Sequence, residues 1–430
     1  MRKETAYEVN EKRILTALGE INDQYIEEAA DIRSSRAKRY FPAVAAAALT
    51  AAAALFACLH FLPAESDTLG TKNPSVPTPV SDVPSDDPSS ASDLPLLTAR
   101  FDTGTAMGFE GMMYYDISEA ENGNPWTEGQ VLSSLPVYRN RARTDMSGIT
   151  VFLDKDEMSD LAARTADALA ASIESTTYQR ISDITEQPPA GCDGTEAYSL
   201  TAKTALGEIT VYGNGRIKIF FSEPVTLPEE YRFTYSETTD DEAGEILRYL
   251  TGRYQALCAF DRAFYCTGGD YTYSGERIRF YQAYDNSGDL TQQILNYHFD
   301  KISFSPDDDG KLFIIWLGDL LTAAEKVGDY PLISAETARC LLLNGDYITT
   351  VPSEYLRDGT ITESQIAKTE LVYRTGNTEE LFMPYYRFYV ELTDYNVDMA
   401  EGLTCYGAYY VPAVSGKYLS DFPVWDGSFN

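Results

Sequence analysis

Few residues of this chain could do chemistry, and they are widely separated in the sequence. The two histidines are His60, in an apolar run, and His298, in a segment over 297–304 that predicts a strand. A single histidine in a strand is usually structural, and it cannot build a histidine metal site alone. GxSxG, HExxH and P-loop signatures are missing from the sequence. We therefore predict no catalytic residue, no cofactor and no enzyme activity.

One acidic triplet is a candidate cation site. Asp307, Asp308 and Asp309 precede Gly310 between two predicted strands, and oxygen ligands gathered on a turn can hold calcium. The EF-hand pattern is not completed, because Gly318 stands where the closing acidic residue belongs. The triplet is thus either a candidate calcium site or an acidic hairpin tip, and we predict no other metal site.

The cysteines do not form a disulfide framework. They number six and include no CxxC motif: Cys58, Cys192, Cys258, Cys266, Cys340 and Cys405. Five lie beyond the apolar run, and an odd set without regular spacing favours reduced, buried thiols. A single bridge between Cys258 and Cys266 stays open as an alternative.

The element that would position everything else is an uncharged apolar run over 40–62. Its length of about 23 residues is enough to cross a bilayer as a helix. Arg33, Arg36, Lys38 and Arg39 precede it, and the positive-inside rule then places the N-terminus in the cytoplasm. We therefore predict a single-pass protein of the cell membrane with residues 63–430 outside.

Three alternatives for this run remain open. A cleaved signal peptide would have a much shorter basic region before it. The segment Leu55–Cys58 resembles a lipobox, which would make the protein a lipoprotein lipidated at Cys58. A buried globular helix is the third alternative.

Charge divides the chain sharply at the apolar run. Residues 1–39 contain eight basic and eight acidic residues, so the net charge of −32 falls entirely on residues 40–430. Such an acidic domain repels nucleic acid, which we exclude as a partner.

The tail over 1–39 predicts an amphipathic helix with one apolar face. Apolar residues recur there at nearly helical spacing, and the face comprises Leu15, Leu18, Ile21, Tyr25 and Ile26. Isolated helices of this length are marginal in water, so a partner for this face is expected, either a cytoplasmic protein or the membrane surface. A solvated helix beside the membrane is the alternative.

The remaining chain divides by composition into three parts. Residues 63–95 are rich in Pro, Ser and Asp and predict a disordered linker. Residues 96–329 predict an α+β domain, and residues 330–430 predict a C-terminal α+β module.

Helices are expected over 157–175, 240–253 and 334–345, separated by strand-like runs with Gly-containing turns. This order favours antiparallel sheets that each carry one helix, and it is compatible with a duplicated unit.

One strand carries an aromatic pattern. Tyr385, Arg387 and Tyr389 alternate with Tyr386 and Phe388, as in a strand with two covered faces. Packing of the sheet would explain this pattern, and so would an aromatic groove that binds a partner.

The C-terminal part resembles a known family. The segments ISAETARCLLLNGDYI, PYYRF and CYGAYYVPAV, within 330–412, resemble PepSY-like modules of the YycH/YycI type. These modules are extracytoplasmic regulators of a two-component kinase in Gram-positive bacteria. The tail, over 12–31, looks like the inner tail of single-pass Firmicutes proteins treated as anti-sigma-like, although it lacks their Cys/His zinc signature.

The resemblance implies an α+β fold with a PepSY-like unit and a regulatory function. We expect a membrane-anchored, non-enzymatic sensor that modulates a two-component kinase or a sigma factor through protein–protein contacts. The alternative is an anchored enzyme or structural domain of the cell envelope.

Overall fold

A computed structural model of the chain describes residues 94–98, 113–142, 153–184, 195–376, 379–395 and 399–420. The contacts divide the chain into two compact units, Met1–Pro95 and Leu96–Asn430. Of the first unit only residues 94–95 are described, and every helix and strand given below belongs to the second.

Four α-helices lie in the described ranges: α1 Lys155–Ala168, α2 Asp240–Arg253, α3 Leu290–Phe299 and α4 Ala335–Leu343. Each begins after a side chain that accepts a hydrogen bond from a backbone N–H in the first turn. These N-caps are Asp154, Thr239, Asp289 and Ser334.

The helices at 240–253 and 334–345 are confirmed, the first with its predicted bounds and the second with Ser334 as its cap. Helix α1 ends seven residues before the predicted end, because the chain turns at Ala170, whose φ is +52°, and enters a strand at Ile173.

Nineteen strands occur in the same described ranges. In chain order they are β1 Leu97–Thr98, β2 Met113–Tyr114, β3 Ser134–Asn140, β4 Ile173–Arg180, β5 Ala197–Thr204, β6 Gly207–Tyr212, β7 Ile217–Val225, β8 Ala263–Cys266, β9 Gly269–Tyr271, β10 Arg277–Arg279, β11 Gln282–Asp285, β12 Asp300–Pro306, β13 Leu312–Asp319, β14 Ala324–Pro331, β15 Ile366–Tyr373, β16 Leu381–Phe382, β17 Pro384–Glu391, β18 Tyr406–Pro412 and β19 Leu419–Ser420.

The largest sheet has eight antiparallel strands in the order β4-β5-β6-β7-β13-β12-β11-β8. A four-stranded sheet has the order β15-β17-β18-β2, and a three-stranded sheet has the order β14-β3-β16. Two small pairs complete the set, antiparallel β9 with β10 and parallel β1 with β19.

Two apolar cores stabilise these sheets. In the first, Met158 of α1 and Leu247 of α2 pack with Ile219 and Phe304 on one face of the eight-stranded sheet. In the second, α3 and α4 pack with strands β17 and β18 of the four-stranded sheet. Burial of these side chains is the main favourable term in folding.

Strand pairing crosses the predicted domain boundary at 329/330. Strand β3 lies between β14 and β16, so its neighbours come from both sides of that boundary. Strand β2 likewise pairs with β18, through Tyr114 and Tyr406.

The predicted membrane architecture needs correction. Residues 40–62, which predicted the transmembrane helix, lie outside the described residues, as does the predicted linker over 63–93. Among the described residues no helix is long and apolar enough to cross a bilayer. The longest, α1 and α2, have 14 residues each, or about 21 Å, against the roughly 30 Å that a bilayer core requires. The single-pass localisation at the cell membrane is therefore not supported.

The predicted fold class was also wrong in its arrangement. The described chain is built mainly of antiparallel sheets with four helices, and α1 and α2 share one sheet. The predicted arrangement of one helix for each sheet does not form, because β7 pairs with β13 and merges their strands into a single sheet.

Strand β6 approaches β7 very closely at Gly207. Its φ is +144°, and a Cβ there would collide with the Phe220 carbonyl oxygen and lie 2.7 Å from the Ser222 nitrogen. We expect Gly207→Ala to lower the free energy of unfolding by about 1–3 kcal/mol, measured by denaturant titration.

Gly244→Ala in α2 is the matched control. It meets open space in a helix and should raise stability by about 0.5–1 kcal/mol. Equal effects from both changes would contradict this account.

Candidate functional site

The most unusual chemical feature of the described chain is a buried group of charges on β15 and β17. The two strands pair antiparallel, with Glu370 opposite Arg387 and Lys368 opposite Tyr389. Because side chains alternate along a strand, these four residues point to one face of the sheet. We call them the Glu370 cluster.

Short contacts tie the cluster to the Glu370 carboxylate. Arg387 Nη2 donates to Oε2 at 2.6 Å, and the Tyr389 hydroxyl donates to the same oxygen at 2.8 Å. Lys368 Nζ lies 3.1 Å from Oε1 and also donates to the carbonyl oxygen of Ala120. The Glu370 side chain is 1% exposed, so its charge is stabilised by these partners and not by water.

Two cations decide the ionisation of this carboxyl. Burial alone would raise the pKa of Glu370, but Arg387 and Lys368 hold it below its usual range. Burial alone would lower the pKa of Arg387, but Tyr389, Tyr114 and Glu370 favour its charged form and raise the pKa well above its ordinary value. Glu370 and Arg387 are thus both ionised near neutral pH.

Aromatic rings enclose the cluster. The ring of Tyr114 stands edge-on to that of Tyr389 at 5.0 Å, which brings β2 against β17. On the other side the ammonium group of Lys301 lies 3.7 Å from the centre of the Tyr297 ring. Burial lowers the pKa of Lys301, since charge is costly in this environment.

A second buried carboxyl lies beside Ala120. Glu119 is 3% exposed, and its Oε1 accepts the backbone N–H of Tyr115 at 3.1 Å and of Tyr271 at 2.9 Å. Burial raises the pKa of Glu119 from 4.5 to about 8, and it raises the pKa of neighbouring Asp270 to about 6. The Glu119 carboxyl holds the hairpin of β9 and β10 to the short helix Ile117–Ala120.

His298 is not on a strand as predicted but near the end of α3. The helical spacing of Ile294, Leu295 and Phe299 on the core was hidden by the strand-like residues that follow. Burial lowers the pKa of His298 to about 3, so the ring is neutral. Its Nδ1 therefore donates to the Ile294 carbonyl oxygen at 2.8 Å, and Nε2 has no partner among the described residues.

The Asp307–Asp309 triplet forms the turn between β12 and β13. Asp307 Oδ1 accepts the backbone N–H groups of Asp309 and Lys311, and Arg232 donates to the Asp309 carbonyl oxygen. Lys311 Nζ pairs with the Asp309 carboxylate at 3.2 Å. In the described ranges no group of three or more His, Cys, Asp or Glu side chains is placed to hold a metal ion.

The described cysteines are free. Cys258, Cys266 and Cys405 are buried and Cys340 is exposed, so the alternative bridge between Cys258 and Cys266 is not formed. Cys58 and Cys192 lie outside the described residues.

Two of the predicted partner-binding residues are buried in the structure. Tyr385, Arg387 and Tyr389 share one face as expected, but the two tyrosines are 2% and 0% exposed. A partner cannot reach them in this state, so they stabilise the sheet. The tail face of Leu15, Leu18, Ile21, Tyr25 and Ile26 lies outside the described residues.

Sequence reasoning missed Glu370, Lys368 and Glu119. A signal was present, because Lys368 and Glu370 alternate with apolar residues in a strand that faces Arg387. Glu119 offered no such pattern, since only the folded chain brings Tyr271 to it.

A cavity of about 540 Å³ lies beside β12 and α3. Its lining combines apolar side chains such as Phe260 and Leu317 with polar groups such as Asp285, Asn296 and the buried thiol of Cys258. Burial raises the pKa of Cys258 to about 11, so this thiol is protonated at neutral pH. Asp285 is bonded to the backbone N–H groups of Arg262 and Ser287, and its pKa is lowered.

Comparison with known proteins gives no relative for this site. No protein-family model matches the chain, and no curated protein matches it. The resemblance to YycH/YycI modules therefore stays a prediction from the sequence.

Removing the Glu370 carboxylate should be costly. Glu370→Ala leaves the buried Arg387 without its anion and removes the partner of the partly exposed Lys368, so we expect the free energy of unfolding to fall by about 3–5 kcal/mol. Glu245→Ala is the control, because its ion pair with Arg248 is 61% exposed on both sides and should matter by less than about 1 kcal/mol. Urea unfolding of both variants measures this difference, and similar losses would contradict a central role for the cluster.

Glu119 should make stability depend on pH. The folded state keeps its proton up to about pH 8, whereas the unfolded chain loses it above 4.5. Between pH 4.5 and about 8 the folded state therefore binds more protons than the unfolded chain. The contribution of Glu119 to the free energy of unfolding then falls as the pH rises through this range. Glu119→Gln should remove that fall, which cannot exceed about 1.4 kcal/mol per pH unit. Denaturant titrations at pH 5 and 8 measure it, with exposed Glu121→Gln as control. An unchanged profile in Glu119→Gln would refute the assignment.

Proposed function

We propose that this protein is a non-enzymatic regulatory protein that works through contacts with a protein partner. The observation that carries the proposal is the commitment of the buried charges to one another. Glu370 is bonded to Arg387, Lys368 and Tyr389, which leaves no free acid, base or nucleophile in the cluster.

The cavity beside α3 supports the same proposal. General acid–base catalysis needs groups whose pKa lies near the working pH. Burial moves the pKa of Cys258 up to about 11, and hydrogen bonds lower the pKa of Asp285. Both shifts lead away from neutral pH, so neither of these two lining groups is suited to acid–base catalysis.

The partner follows from the resemblance of 330–412 to YycH/YycI modules, which implies a two-component kinase or a sigma factor. The acidic composition of the chain favours a partner that presents basic side chains.

Crosslinking in the native cell tests the proposal. The full tagged chain should enrich a kinase or a sigma factor after crosslinking, as measured by mass spectrometry. Glu245→Ala should enrich it equally, whereas Glu370→Ala, which loses stability, should enrich it less. Recovery of neither class with the native chain would refute the proposed partner.

A second variant separates regulation from catalysis. The double change Cys258→Ser and Asp285→Asn should leave the transcription that depends on this protein unchanged, because neither group is proposed to react. Loss of that response in a variant that still folds would favour the enzyme alternative.

A further inference from the structure

The eight-stranded sheet ends in an edge strand with unusual properties. Strand β4 has β5 as its neighbour on one side, and no described strand pairs with its other side. Six of its eight residues are exposed, and Ile173 and Tyr178 are half-buried. The opposite edge strand, β8, has only four residues and ends in buried Cys266.

Edge strands of this length are normally protected. Natural proteins interrupt such edges with lysine, proline or bulges, because an open ladder of N–H and C=O groups recruits other strands. Strand β4 contains no lysine and no proline, and its irregularities fall near its two ends, at Ile173/Ser175 and at Gln179/Arg180. The regular segment between them, 175–179, carries no charge.

The charges of β4 are arranged for pairing with its own copy. Two identical strands that run antiparallel with Thr177 on the two-fold axis place Glu174 of each opposite Arg180 of the other. The same register places Ser175 opposite Gln179 and Thr176 opposite Tyr178. Opposite charges on facing strands stabilise a pair, whereas like charges destabilise it. Neither Glu174 nor Arg180 forms an ion pair with another described residue, so both side chains remain available for this contact.

We propose that β4 is a self-association edge, at which two copies of this chain join their eight-stranded sheets across a two-fold axis at Thr177. Such an interface is isologous, since each copy contributes the same strand. The side chains beside β4 are engaged within their own chain and are compatible with this pairing. The Asp183 carboxylate accepts the Arg180 backbone N–H, and Lys155 lies over the Tyr178 ring. One strand per copy makes a small interface, so the dimer should dissociate on dilution.

Cysteine crosslinking of the full chain tests the register. Only a residue on the two-fold axis faces itself, whereas the two copies of residue 176 are diagonal neighbours about 7–8 Å apart, too far for a disulfide. Under mild oxidation, Thr177→Cys should therefore give several-fold more disulfide-linked dimer than Thr176→Cys. The native chain sets the background from its own cysteines. All of these positions are exposed, and circular dichroism checks that each variant keeps its fold.

Charge exchange tests the chemistry in the Thr177→Cys background. Glu174→Arg and Arg180→Glu should each reduce the crosslinked dimer to background, since both create facing like charges. The double exchange should restore it. Equal crosslinking at 176 and 177, no rescue by the double exchange, or crosslinking of 177 only to a different protein would each overturn the proposal.

Discussion

The antiparallel pairing of β7 with β13 is the constraint on which the rest of the structure depends. It joins strands that are far apart in the sequence, with Ile219 opposite Ile315 and Phe220 opposite Ile314. Without it, the eight strands would form two separate four-stranded sheets, β4–β7 and β13-β12-β11-β8. Together they provide one broad apolar face for α1 and α2, and they leave β4 and β8 as the two edges.

The buried charges impose a second constraint, which acts on register. Removing a carboxylate from water is costly unless cations replace the lost solvation. A shift of β15 by one residue against β17 would move Glu370 to the opposite face and leave Arg387 without its anion. The Glu370 cluster thus penalises wrong pairings in a strand region where apolar side chains occupy both faces and give little guidance. Polar side chains in this interior therefore add specificity that aromatic packing alone would not supply.

Local features of this fold could be predicted from the sequence, while distant contacts could not. Helix α2 and the start of α4 follow from Thr239 and Ser334, whose capping depends on residues close by. Helix α3 was missed because the aromatic residues Tyr297 and Phe299 favour strands, whereas burial of Ile294, Leu295 and Phe299 in the second core decides for a helix. One residue of the Glu370 cluster, Arg387, could be singled out from the sequence, but Glu370 could not. Glu119 could not be found, because its partner Tyr271 comes from a distant hairpin.

The parallel pair of β1 and β19 has a mechanical and topological consequence. It sets Leu97 beside Leu419 and Thr98 beside Ser420, so the first and last described strands of the second unit lie together. Tension applied between these two ends would load the pair in shear, with its hydrogen bonds acting together instead of one by one. Because these two strands are paired, the two ends of the described unit lie side by side. Its strand order would survive if the chain were joined there and opened at a different surface turn.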